Sequence, residues 1–223
     1  MVSQAPPQGA RMDPCLATVP AGTELWRCHS SRWGATTFKE KPAHTHFGAS
    51  RFDGTTDDAY PYLYAAEEPT TALAEVLVRS TEFSSEYGVR QIPWRQAAGH
   101  TLTKVRTTED LVLIRLLSEE DLAGVLQSSW LLEAEHHEYA QTRFWAQEMR
   151  RQVPQAQGLV WTSRRHRPRP AIVLFGDRCT DQPLVAVPGA GSVYDLATLE
   201  GLHEANRLLV PLRTVIVPPG WEF

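Results

Sequence analysis

The chain has little cysteine. Its three thiols, Cys15, Cys28 and Cys179, form an odd and widely separated set within 223 residues, with no CxxC pair among them. That pattern excludes a disulfide framework and a zinc knuckle, and is expected of reduced thiols in a cytosol. Long apolar runs are missing as well: nothing approaches the roughly 18 residues a membrane helix needs, and MVSQAPPQGARMDP at the N-terminus lacks the apolar core of a secretory signal. A cytoplasmic protein with no membrane association is the expectation. Positive charge is also short. The formal net charge is -4 and the pI is near 6.1, so no global attraction draws the chain to nucleic acid phosphates, and nucleic acid is a poor candidate partner.

Several catalytic signatures are lacking too. There is no GxGxxG after a strand, no GxxxxGK[ST] and no GxSxG, which removes the Rossmann, P-loop and hydrolase-elbow readings. His203-Glu204 and His137-Glu138 start like HExxH, but Arg207 and Gln141 stand where the second histidine is needed. His44 and His46 have no cysteine or acid at ligand spacing and read as loop residues, so no metal is expected.

What remains has the size of one domain, with 42% hydrophobic residues and room for a single sizeable core. Residues 1–22, rich in proline and small polar residues, read as a flexible N-terminal segment, with one domain over 23–223. ELWRCH reads as a strand, GATTFKEKPAHTHFGASRF as a loop leading into a second, and PYLYAA as a third. Pro69 suits the first turn of a helix over Thr70 to Arg79. HTLTKVR and LVLIRLL read as strands, SEEDLAGVL as a short helix capped by Ser118, and residues from about Ser129 to Gln152 as a longer helix. The β-branched runs GLVWTS, PAIVLFG, PLVAVP and LLVPLRTVIVP complete a chain whose strands outnumber its helices without alternating with them, which predicts an α+β fold.

Within this frame Tyr60 to Arg79 carries the most chemistry, with aromatics at a strand end and one acid, Glu75, on the helix that follows. Helical spacing leaves Glu75 two readings: a site acid, or half of a surface ion pair with Arg79 four residues on, worth a few tenths of a kcal/mol. Tyr62 and Tyr64 alternate to one sheet face, as core aromatics or as a ligand platform. Arg27 lies beside Leu25 and Trp26 in a strand, where a guanidinium needs an anion or acceptors. Ser163 ends a strand, and RRHRPRP after it reads either as a solvated loop or as a phosphate patch.

Together these segments resemble the RES-domain family of bacterial toxin-antitoxin toxins, named for an Arg, a Glu and a Ser. The matching pieces are LWR at Leu25 to Arg27, FGASRF at Phe47 to Phe52, YAAEEPTTALAEVLV from Tyr64 to Val78, and GLVWTSRR from Gly158 to Arg165, spread over roughly residues 23 to 180. The resemblance implies an ADP-ribosyltransferase-like split, mainly antiparallel sheet with flanking helices. It also implies cleavage of the nicotinamide–ribose bond of NAD by hydrolysis or phosphorolysis, with inorganic phosphate as a possible co-substrate, no cofactor, and a separate antitoxin as partner. Carried over residue by residue, it makes Glu75, Arg27 and Ser163 catalytic, and gives Arg27, Arg51, Tyr64 and Ser163 the NAD. Tyr64 and Glu75 are then expected to face the same cleft as Arg27 and Ser163. One departure is that the family's Gly-Gly-Arg-Trp is Ala49-Ser50-Arg51-Phe52 here. Transfer of ADP-ribose to a macromolecule, and a non-catalytic nucleotide-binding module, are the alternative readings.

Overall fold

The computed structural model describes residue 6, residues 9–218 and residue 220. The strands are β1 (Leu16–Val19), β2 (Glu24–Ser30), β3 (Tyr62–Ala66), β4 (Arg90–Pro93), β5 (His100–Thr107), β6 (Leu111–Leu116), β7 (Gly158–Thr162), β8 (Pro170–Phe175), β9 (Leu184–Ala186), β10 (Val193–Asp195) and β11 (Thr214–Val217). The helices are α1 (Pro69–Leu73), α2 (Trp94–Ala97), α3 (Glu119–Gly124), α4 (Trp130–Glu133), α5 (Tyr139–Gln152) and α6 (Leu199–Leu209). One curled sheet runs β1-β6-β7-β8-β3-β2-β5-β10, with β9 also on the outer edge of β5; β4 and β11 pair apart from it. All its pairings are antiparallel except β6 with β7. The fold is therefore α+β, with a large, mostly antiparallel sheet and helices around it, as the sequence predicts.

Both faces of the sheet are covered, which is why GLVWT and PAIVLF read as unbroken apolar runs. Alternation sorts their side chains. Leu159, Trp161, Val173 and Phe175 pack under Trp145, Ala146 and Met149 of α5, whereas Val160, Ile172 and Leu174 face a separate core on the reverse side with Leu25, Leu63 and Val105. A third core lies between α1, α6 and the β2–β5 half of the sheet, where Leu73, Leu77, Leu202 and Leu209 meet Cys28 and Leu102. No helix among the described residues is long and apolar enough to cross a membrane.

Four expectations need correction. Leu16–Val19, inside the predicted flexible segment 1–22, forms edge strand β1 on β6, and Met12 and Asp13 donate their N–H groups to Gln152 Oε1 and the Gly124 carbonyl. Residues 1–5, 7 and 8 of that segment lie outside the described residues. The loop GATTFKEKPAHTHFGASRF leads into no second strand before Tyr62–Ala66; Gly48 and Ala49 both take positive φ and turn the chain. The single helix over Ser129 to Gln152 is divided: Ala134 leaves helical geometry at ψ 136° and Glu135 caps a new start through Glu138. In LLVPLRTVIVP only Thr214–Val217 is a strand, since Leu208 and Leu209 end α6.

The stretch from Ser80 to Gly124 and the chain beyond Asp177 are structural: the first supplies β5 and β6, and the second supplies β9, β10 and α6. Gly158, at the start of β7, is held to its size by its neighbours. A Cβ there would stand 2.1 Å from the Val173 carbonyl oxygen and 2.9 Å from Leu113 Cδ2. Gly158→Ala is expected to cost about 2 kcal/mol of stability. An unchanged urea midpoint contradicts this.

Candidate functional site

The site is built around a loop without regular structure, residues 44–53, that lies against β3 and α5. Its polar backbone is satisfied from both sides. Arg143 on α5, 1% exposed, donates through Nη1 to the carbonyls of Gly48 (2.9 Å) and Ser50 (3.3 Å), and through Nη2 to those of His44 (3.2 Å) and Thr45 (3.0 Å). Thr142 Oγ1, one residue earlier, donates to the Arg51 carbonyl at 2.7 Å.

From the sheet side the tyrosines do the same work. The hydroxyls of Tyr62 and Tyr64 each donate to the Asp53 carboxylate at 2.8 Å, which also accepts the Ser50 N–H at 2.9 Å. Tyr60 donates to the Phe52 carbonyl at 2.9 Å, and the Phe52 N–H donates back to the Tyr64 oxygen at 3.1 Å. Burial, then the Asp53 charge, holds the Tyr64 phenol well above its ordinary pKa, so this hydroxyl stays a donor. Tyr62 and Tyr64 thus share a face, as alternation predicts. Tyr60 and Tyr62, at 2% and 3% exposure, present no ring face to a ligand. Tyr64 is half-buried and stands edge-on to Tyr62 and Trp161, each 6.0 Å away.

The clamped loop presents Arg51. Its side chain is only 4% exposed and makes no hydrogen bond or ion pair among the described residues, its buried Nε has no acceptor there, and its guanidinium carbon lies 5.4 Å from the centre of the Tyr139 ring. A buried cation with no protein anion is costly unless a ligand or water completes it.

Glu75 and Ser163 meet, although 88 residues separate them: Ser163 Oγ donates to Glu75 Oε1 at 2.6 Å, with Ser163 fully buried and Glu75 half-buried. The alternative ion pair between Glu75 and Arg79 is not formed. After Leu73 the helix widens into a π turn over Ala74–Val78, which breaks the α-helical stacking of positions four apart. Arg79 instead donates to Ser50 Oγ at 3.2 Å and places its guanidinium carbon 5.2 Å from the Tyr139 ring centre.

The RRHRPRP loop after Ser163 is neither a free patch nor merely solvated. Arg164, Arg165, Arg167 and Arg169 pair with Glu135, Glu82, Glu133 and Glu68, and His166 Nδ1 lies 2.8 Å from Thr71 Oγ1 on α1. Acids from three separate segments therefore occupy its charges.

Arg27 is not with the others. In the β2–β3 pairing Trp26 stands opposite Ala66, which shares its face with Tyr64. Alternation turns Arg27 to the reverse face, where Nη1 donates to the carbonyls of Ala35 (2.5 Å) and Gly34 (3.4 Å). Burial lowers its pKa to about 10, and no carboxylate pairs with it. The expectation that Arg27 shares one cleft with Tyr64, Glu75 and Ser163 is corrected: Arg27 lies on the reverse face, while Glu75 and Ser163 meet each other.

The residues that sequence reasoning missed, Asp53, Tyr139, Thr142 and Arg143, are supports rather than reactants. Asp53 sits in the polar run FDGTTDD, where nothing distinguishes it from a turn acid. The arginine on α5 carried a better signal, a charge between Thr142 and the apolar Phe144 and Trp145.

The RES domain matches residues 24–197, most of the chain. This protein belongs to the RES domain family. None of the curated proteins compared matches it. Among solved structures, a chain in the crystal structure of the M. tuberculosis MbcT–MbcA toxin–antitoxin complex is similar in fold, with a TM-score of 0.53 over 80% of this chain and 86% of that one, at 12% identity. At that identity the likeness shows the fold alone.

The departure of this RES domain from Gly-Gly-Arg-Trp now has a structural meaning. Ala49 takes φ 67°, a left-handed conformation that disfavours a Cβ by about 1–2 kcal/mol, partly offset by the larger unfolded-state entropy of glycine. Ala49→Gly is expected to stabilise the protein by about 0.5–1 kcal/mol, read as a rise in thermal midpoint. Asp53→Ala acts in the opposite direction. It strands two buried hydroxyls and a backbone N–H, and is expected to cost about 3 kcal/mol in chemical denaturation. A loss under 1 kcal/mol contradicts the role given to Asp53.

Proposed function

We propose that this RES-domain protein cleaves the nicotinamide–ribose bond of NAD and is neutralised by a separate antitoxin. The observation that carries the reading is the Glu75 carboxyl held by Ser163 Oγ at 2.6 Å, on the same side of the sheet as Arg51, a buried arginine with no protein anion. When that bond breaks, nicotinamide leaves as a neutral base with the bonding electrons, and positive charge develops on the ribose carbon. A carboxylate fixed at that point stabilises the transition state more than the ground state. Glu75 has that role, and Ser163 fixes its orientation.

Arg51 suits the dinucleotide's phosphates, since a guanidinium binds them in bidentate fashion and keeps its charge near neutral pH. Tyr64 offers its half-buried ring, because its hydroxyl is committed to Asp53. Arg27 has no part in this chemistry, being turned to the reverse face. Water adding to the ribose carbon gives hydrolysis, with loss of a proton; inorganic phosphate adding there gives phosphorolysis. The antitoxin follows from family membership and from a similar fold occurring in a toxin–antitoxin complex.

The rival readings have less support. A non-catalytic binding module has one observation in its favour, Arg27 lying on the opposite face from Glu75, but its other premise fails, because Glu75 meets Ser163 and not Arg79. Transfer of ADP-ribose to an anionic macromolecule relied on RRHRPRP, whose arginines are all paired.

Purified protein incubated with NAD, with and without phosphate, is expected to release nicotinamide. Glu75→Gln is expected to lower the rate by about 100-fold or more while leaving the thermal midpoint within a few degrees. No release by the wild type in either buffer, or full activity of the variant, refutes the reading.

A further inference from the structure

Two arginines, Arg51 on the clamped loop and Arg79 four residues past Glu75, share a single tyrosine ring, and neither has an acid partner among the described residues. Arg51 and Arg79 both lie over Tyr139, their guanidinium carbons 5.4 and 5.2 Å from its centre, and so no farther apart than those distances combined. Arg51 is 96% buried by its 4% exposure and has no hydrogen-bond partner. Arg79 reaches only the neutral Ser50 Oγ. Nearby cations are treated differently: Arg165, which donates to the Arg79 carbonyl at 3.0 Å, is matched by Glu82, and Arg164 by Glu135.

The π turn explains why Arg79 is left unmatched. An ordinary α-helix would stack Glu75 under Arg79 and neutralise both. The turn over Ala74–Val78 sends the acid to Ser163 and the arginine to Tyr139, at a cost in helix regularity that such turns commonly show at functional sites. Two like charges on one ring, with no counter-charge among the described residues, repel each other, and the Tyr139 ring relieves this only in part. An anion bound to both removes the penalty.

We propose that Arg51 and Arg79 form a two-armed subsite for phosphoryl oxygens, with Tyr139 as its backing. A diphosphate suits it best, because two linked tetrahedral groups give each guanidinium its own oxygens. Only the subsite's place beside the reacting bond rests on the proposed NAD cleavage. Its existence does not.

Calorimetric titration of the full chain tests it, with ADP, pyrophosphate and inorganic phosphate as separate probes. ADP and pyrophosphate are expected to bind the wild type, with binding at least tenfold weaker in Arg79→Gln and in Arg51→Lys, and partly restored in Arg79→Lys. Arg207→Gln, which removes a surface arginine paired with Glu204, is expected to bind as the wild type does. If inorganic phosphate displaces ADP and itself binds more weakly to Arg79→Gln, the subsite also takes free phosphate. If it does not compete, the subsite is a nucleotide diphosphate site. Failure of all three probes to bind the wild type, or equal ADP affinity in Arg79→Gln, overturns the proposal.

Kinetics supply a second readout that a purely structural role would not move. For Arg79→Gln the KM for NAD is expected to rise at least tenfold, while cleavage of nicotinamide riboside, which lacks the diphosphate, stays at the wild-type rate. Equal losses on both substrates overturn the assignment. A wild type that binds ADP through Arg79 yet never releases nicotinamide keeps the subsite and removes the proposed reaction.

Discussion

The arrangement depends on one buried carboxylate. Asp53, at 1% exposure, forms no ion pair among the described residues and is satisfied by the hydroxyls of Tyr62 and Tyr64 and the Ser50 N–H. Such a group is tolerable in a core only because every bond is made, and losing any of them is expensive. The same loop has the opposite charge on its other side, where Arg143 spreads over four backbone carbonyls. Neither charge neutralises the other directly. Each is dissolved in backbone and hydroxyl dipoles, and the loop between them gains the rigidity of a regular element without the shape of one.

That rigidity permits Arg51 to stand buried with no partner. A flexible loop would swing the guanidinium into water and end the penalty. Here the residues on both sides are clamped, since Ser50 and Phe52 are hydrogen-bonded to Asp53 and the tyrosines, and the Arg51 carbonyl itself accepts from Thr142. The side chain therefore remains ready for an anion. The π turn has the complementary effect on α1, because it spends helix regularity to keep an acid and an arginine from cancelling each other.

Much of this was legible in the sequence where a single local rule governs. Strands β5 to β8 were readable from unbroken or alternating apolar runs, and α3 from Ser118 and the acids after it. Where two rules compete, reading fails. Glu75 and Arg79 four apart on a helix predict an ion pair, and nothing in AEVLV announces that the helix will widen. Leu16 to Val19 looked too proline-flanked for a strand, yet β6 offered a free edge that four residues could pair with. LLVPLRTVIVP reads as strand throughout, but the amphipathic face of α6 claims its first residues for the core under α1. The site was legible as a set of residue types, and its supporting shell was not, because hydrogen bonds to carbonyls leave no sequence pattern.

Arg27 shows how a matched residue can serve the fold rather than the chemistry. Placed in a strand beside Leu25 and Trp26, it needs an anion or acceptors, and the family resemblance points to an anion-binding cleft as the supplier. The structure meets that need with backbone: the carbonyls of Gly34 and Ala35 turn towards Nη1, and Ala35 with Phe38 closes over the reverse-face core. A guanidinium can bind carbonyls as well as carboxylates, and two carbonyl dipoles offset part of its desolvation without adding a second buried charge. Side-chain type states only that an acceptor is required. Strand parity decides which face must supply it, and one observed pairing, Trp26 opposite Ala66, is enough to move Arg27 away from the reacting side.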